Sequence, residues 1–158
     1  MNPTIDTIKK TQQFLLNLVN DITIEQLNEV PPGFNNNIIW NLAHMIAAQQ
    51  GVCYLRAGQK THVPEEFYLR YKTDTKPEGF LDSSEIEKIK GLLFTTLDQL
   101  EEDYNANLFA NYHAWTNRYG TTLSNIDEAV QFLLFHEGLH TGYIMALKRA
   151  VKNARVLS

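Results

Sequence analysis

Two histidines one helical turn apart, His136 and His140, stand in a stripe that otherwise reads as the apolar face of a long helix: Ile126, Ala129, Leu133, Ile144, Leu147 and Val151. At about 100° per residue the two imidazoles point only about 40° apart. Two adjacent buried imidazoles each need a partner and repel one another if both are protonated, and a shared cation solves both problems. His44 falls in a second inward stripe with Trp40, Ala47, Gly51 and Tyr54. A lone core histidine bonded to a carbonyl is the commoner arrangement. Three inward imidazoles on two helices are more than chance places in one core, and the i, i+4 pair can clamp one metal ion. An ion held only by imidazoles would keep coordination positions open, the mark of a catalytic site, where the pKa of a water or thiol is lowered toward neutrality. Imidazole does not choose among metals; zinc or nickel is the expected ion, with iron or manganese as alternatives.

Residues 136–140 also spell His-Glu-Gly-Leu-His, the H-E-x-x-H pattern of zinc peptidases. That chemistry needs a third ligand, ordinarily downstream, yet the eighteen residues after His140 contain no His, Asp or Glu. It also needs a cleft edged by a sheet, and no strand pattern is apparent. Glu137 remains the candidate catalytic base, with support of the ligands or simple solvation as its other readings. Trp40, one turn before His44, and Tyr143, close in direction to His136, are candidates to line a cofactor pocket or to be plain core. His62 and His113 read as loop or packing residues, His113 being a remote further ligand. Cys53 lies about 180° around the helix from His44 and reads as a small core side chain.

The elements that must position these residues follow from periodicity and caps. Asn2-Pro3 opens a first helix whose Ile5, Ile8, Leu15 and Val19 form a stripe broken by Gln12. Thr23 and Gln26 form a capping box for a short turn that Pro31-Pro32-Gly33 ends. A second long helix runs from about Asn37 to Ala57. Residues 58–82 lose the period and read as a long crossing segment packed through Phe67, Tyr68, Tyr71 and Phe80; loops of that length commonly serve a site. Ser84 and Glu87 suggest the box that opens a third long helix bearing Ile86, Ile89, Leu93, Leu97, Leu100 and Tyr104. Asn125 with Glu128 opens the fourth, to about Lys152. Its opposite face carries Leu134, Gly138 and Met145, expected to meet another element or a second subunit. The expected fold is all-α, a four-helix bundle with a long connection between its second and third helices, in one domain over 1–158.

Composition sets outer limits. Hydrophobic residues make up 44% and charged residues 20%, which suits an ordinary folded domain rather than a disordered chain. Fourteen Lys and Arg against eighteen Asp and Glu give a net charge of -4, adverse to nucleic acid. The one basic cluster, Lys148, Arg149, Lys152 and Arg155, suits the C-terminal end of a helix dipole. A single cysteine excludes an internal disulfide, no stretch approaches the ~18 apolar residues of a membrane span, and no apolar segment follows the charged start. The expected setting is cytoplasmic.

The segment Asn37-Ile-Ile-Trp-Asn-Leu-Ala-His44, after Pro31-Pro32-Gly33-Phe34 and followed far downstream by His136-Glu-Gly-Leu-His140-Thr-Gly-Tyr143-Ile, resembles the DinB-like (YfiT-like) superfamily. The resemblance covers nearly the whole chain. It implies an up-down-down-up bundle, a divalent metal on His44, His136 and His140, and frequently a homodimer. It further implies transfer of a low-molecular-weight thiol such as bacillithiol, mycothiol or glutathione to an electrophilic small molecule. The alternatives are a metal-dependent hydrolase and a non-catalytic metal-binding or interaction bundle.

Overall fold

Helix α1 spans Pro3–Leu18 and starts where Asn2 Oδ1 accepts the amides of Thr4 and Ile5 at 2.9 and 3.2 Å. The computed structural model describes residues 2–156, with side chains through residue 153. Thr23 and Gln26 form the expected capping box on α2, Ile24–Asn28. Helix α3, Ile38–Gln49, is capped by Asn37 Oδ1 on the Trp40 amide at 2.8 Å and runs on through a π turn, Gln50–Tyr54, and a 3-10 turn, Leu55–Ala57. The residues expected to form one regular second helix therefore change pitch half-way. A π turn holds an extra residue, so the stripe of Trp40 and His44 does not extend to Tyr54. Tyr54 turns instead into the core and donates to Asp103 at 2.7 Å.

The crossing segment is more ordered than its lost period suggests. It contains α4, Glu65–Tyr71, with Glu65 and Glu66 in its first turn. Tyr71 is buried and Phe67 and Tyr68 pack on the core, whereas Phe80 is 62% exposed and does not join that cluster. A Cβ on Gly51 would stand 3.1 Å from the Tyr68 ring, so the glycine lets α4 lie close against the π turn. Helix α5, Ser83–Asn105, opens on Asp82 rather than Ser84: Asp82 Oδ1 accepts the Glu85 amide at 2.9 Å and Glu85 Oε2 accepts the Asp82 amide at 3.0 Å. Asp82 supplies the same reciprocal pair as a serine, with a charge that suits the helix N-terminus.

Before the last helix the chain makes a short hairpin, β1 Trp115–Thr116 and β2 Thr122–Leu123, antiparallel with Trp115 opposite Leu123. Helix α6, Ile126–Val156, begins where Asn125 Oδ1 accepts the Glu128 amide at 2.9 Å. Toward its far end, Lys148 and Lys152 pair with Asp21; the Arg155 side chain of the same basic cluster lies outside the described ones.

Helices α1 and α3 each pack on both α5 and α6, which places α1 and α3 on one diagonal of a four-helix bundle. The apolar interior falls into two clusters. One contains Leu15, Leu42, Ala43, Leu93, Ile144 and Leu147; the other contains Ile8, Tyr54, Leu97, Leu100, Ala129 and Leu133. Between Ile8 and Leu15 on α1, and between Leu133 and Ile144 on α6, the buried or half-buried residues include Gln12, His136, Glu137 and His140. A polar layer thus crosses the bundle where the two clusters meet. On the opposite face of α6, Leu134 packs against the second cluster while Met145 is 43% exposed. Among the described residues no helix is long and apolar enough to cross a membrane.

Candidate metal centre

The three histidines of the sequence stripes converge. His136 Nε2 lies 3.3 Å from His44 Nε2 and 3.2 Å from His140 Nε2, and the ligand atoms of all three fall within 4.8 Å of one another. Two nitrogens bound to one tetrahedral zinc at about 2.05 Å would be about 3.3 Å apart. Their other ring nitrogens decide which tautomer each adopts. His44 Nδ1 is 2.7 Å from the Tyr71 carbonyl oxygen, which can only accept, so Nδ1 carries the proton. Asn41 donates its amide hydrogens to Asn36 Oδ1 and the Asn37 carbonyl, both at 2.8 Å, which leaves Oδ1 as the acceptor facing His140 Nδ1 at 2.8 Å. His44 and His140 therefore both turn a bare Nε2 lone pair toward His136. One N–H on His136 Nε2 satisfies at most one of them. A cation with three nitrogen ligands satisfies all three, so the residues present fit a metal ion.

Electrostatics agree. Burial holds the His136 imidazole down to about 3, aided by the neighbouring His140 and His44 and by Arg118. Burial and His44 hold His140 down to about 4. His44 is lowered by burial, partly offset by its bond to the Tyr71 carbonyl, with Arg118 lowering it further. All three are neutral at pH 7, the form a metal requires. The trio lines a cleft of about 700 Å³. Trp40 forms part of its wall, stacked on His44 with 4.7 Å between ring centroids and 10° between planes.

Residues 7–144 match the family model of the DinB superfamily. The chain belongs to that superfamily. None of the curated proteins matches it. As a DinB-superfamily bundle, it carries its three-histidine cluster where α3 and α6 face each other, on the two segments that prompted the resemblance.

Not every residue singled out in the sequence joins the cleft of this DinB-superfamily chain. Glu137 is buried and accepts from Gln12 Nε2 of α1 at 3.0 Å; it is not among the residues lining the cleft. Burial pushes its carboxyl up to about 8, with the Gln12 bond pulling the other way. Tyr143, 37% exposed, stands edge-on to Phe34 at 5.5 Å and is likewise absent from the lining. His62 bonds Asp103 at 2.9 Å, and His113 is not part of the three-histidine cluster. Cys53 is completely buried and burial pushes its thiol far up, which excludes a ready nucleophile. Sequence reasoning missed Asn41 and the Tyr71 carbonyl, which orient two of the imidazoles. Asn41, three residues before His44 and inside an apolar run, was the visible signal; a backbone carbonyl leaves none.

Proposed function

We propose that this protein is a metal-dependent enzyme that transfers a low-molecular-weight thiol to an electrophilic small molecule, with His44, His136 and His140 as ligands of one divalent ion. The observation that carries the reading is the pair of bare Nε2 lone pairs, on His44 and His140, facing a third imidazole in an open cleft. No carboxylate or cysteine completes the cluster among the described residues, which supports an open catalytic position rather than a closed structural site. When bound, the ion lowers the pKa of a thiol or water that reaches it.

The chain's own residues supply orientation. Asn41 and the Tyr71 carbonyl hold protons on Nδ1 of His140 and His44, so that Nε2 of each faces the reacting centre. Trp40 fixes the His44 ring by stacking and offers an apolar wall. Glu137, bonded to Gln12, acts in this reading as a support for α6 rather than as a group that touches substrate. The burial of Cys53 supports a thiol that arrives from outside the chain. A homodimer is part of the proposal, and the exposed apolar side chains Phe135, Leu139 and Tyr143 of α6 give it a face.

A panel of bacillithiol, mycothiol and glutathione with electrophilic acceptors, scored with and without added metal, tests the reading. Metal-dependent consumption of one thiol is the expected result. No turnover with any thiol on metal-loaded protein would overturn it in favour of a hydrolase or a binding role.

A further inference from the structure

The cleft has a charge opposite to that of the chain. The molecule carries -4 overall, yet the charged side chains around the histidines are Arg56, Lys72 and Arg118 against Asp74 alone. With the imidazoles neutral, the walls carry two net positive charges before any metal is added. A divalent ion on three neutral ligands adds two more, and no protein carboxylate in the cluster offsets them.

One of these cations is held in place, and a second stands on a shaped turn. Arg56 leaves the 3-10 turn and lies over the Trp115 ring with its guanidinium carbon 4.1 Å from the ring centroid. That ring is itself locked, since Trp115 Nε1 donates to Tyr112 Oη at 2.9 Å and Tyr112 Oη donates to the Val52 carbonyl at 2.8 Å. Among the described residues no carboxylate pairs with Arg56. Arg118 sits in the turn of the β1–β2 hairpin, which Asn117 Oδ1 shapes by accepting the amides of Tyr119 and Thr121 at 3.0 and 3.1 Å. Its only carboxylate neighbour among the described residues, Asp74, stands at 3.7 Å, with both side chains mostly in water. Such a pair is worth little and yields readily to a better-placed acceptor.

We propose that Arg56 and Arg118 are specificity residues that hold an oxyanion group, a carboxylate or phosphate, of the small molecule that enters the cleft, while its apolar part lies against Trp40, Trp115 and Phe132. The guanidinium fork suits planar two-point recognition of such a group. This inference deepens the reading of the cleft as a substrate site and rests on it, but it does not depend on which atom is transferred.

Both tryptophans of the chain, Trp40 and Trp115, line the cleft, so intrinsic fluorescence reports its occupation. The probes are 3-phenylpropionate, its neutral amide and phenyl phosphate, titrated into the full-length protein both metal-loaded and chelator-treated. The acid is expected to bind at least about tenfold more tightly than the amide even without metal, as a charge-assisted contact requires. Arg56→Gln and Arg118→Gln should each reduce that preference several-fold, and Lys10→Gln on the far surface of α1 should leave it unchanged. Tighter binding of phenyl phosphate than of the acid would assign the group as a phosphate. Equal binding of acid and amide, an unchanged preference in both arginine variants, or no fluorescence response to any probe would overturn the inference. Because the chelator-treated arm involves no metal, its failure is distinct from a failure of the three histidines to hold one.

Discussion

Asn41→Ala removes the acceptor that keeps the His140 proton on Nδ1 and leaves the imidazole ligands themselves intact. The Asn41 side chain is fully buried and its Oδ1 lies 2.8 Å from His140 Nδ1, so water does not simply replace it. Leaving such a buried donor unsatisfied costs about 1–3 kcal/mol. The proton then moves to Nε2, the atom needed by the metal, or the ring turns away. Removing an outer partner of a metal-ligating histidine typically lowers affinity about 10–100-fold, or about 1.4–2.7 kcal/mol, the same range. Competition against a chromogenic chelator at fixed pH measures the change. Tyr71→Phe serves as control, because His44 is held by the Tyr71 backbone carbonyl and that contact survives the substitution. Asn41 also ties the start of α3 through Asn36 and the Asn37 carbonyl, so thermal unfolding of the same variant separates lost stability from lost affinity. Metal affinity within twofold of the parent, in a variant that remains folded, would refute the argument that Asn41 sets the His140 tautomer.

Asp103 accepts from Tyr54 Oη at 2.7 Å, His62 Nε2 at 2.9 Å and Gln99 Nε2 at 3.1 Å; burial alone would raise its carboxyl, but these bonds outweigh it and hold it below the usual carboxylate range. A depressed folded-state value means stability that is present above the unfolded value near pH 4 and lost as pH falls through the folded one, so the gap in Tm between parent and Asp103→Asn should narrow as pH drops below about 4. A gap that widens in acid would contradict this sign. Leu100→Ala, in the fully buried centre of the second cluster, should cost about 2–5 kcal/mol in denaturant unfolding; a loss below 1 kcal/mol would show a looser core than the one described. Cys53 should react with an aromatic disulfide reagent only under denaturing conditions, and rapid reaction in the native state would reopen its case as a nucleophile.

The histidine site was legible because an i, i+4 pair inside an apolar stripe is a conflict that local packing cannot explain, and His44 repeated that conflict on another helix. Helix starts were legible where a side chain caps its own segment, as at Asn2, Thr23, Asn37 and Asn125. The third long helix was found from its leucine stripe although its cap is Asp82, since Asp82–Glu85 and Ser84–Glu87 satisfy the same spacing. Other features were hidden for physical reasons. Helix α4 is too short to show a repeat, and the π turn after Gln49 shifts phase without any breaker residue to announce it. Gln12 and Glu137 are separated by 125 positions, so a polar interruption of the first stripe was visible but its partner was not. Arg56 and Arg118 stand 62 positions apart in the sequence, and only a 3-10 turn and a hairpin bring them to one cleft.

Elemental analysis of untagged protein by mass spectrometry, as purified and after reconstitution with zinc, nickel, iron and manganese, decides whether His44, His136 and His140 bind one divalent ion. About one ion per chain is expected in the parent, and its loss in His136→Ala. Protein that takes up none of these metals, or a His136→Ala variant that retains full stoichiometry, would contradict it.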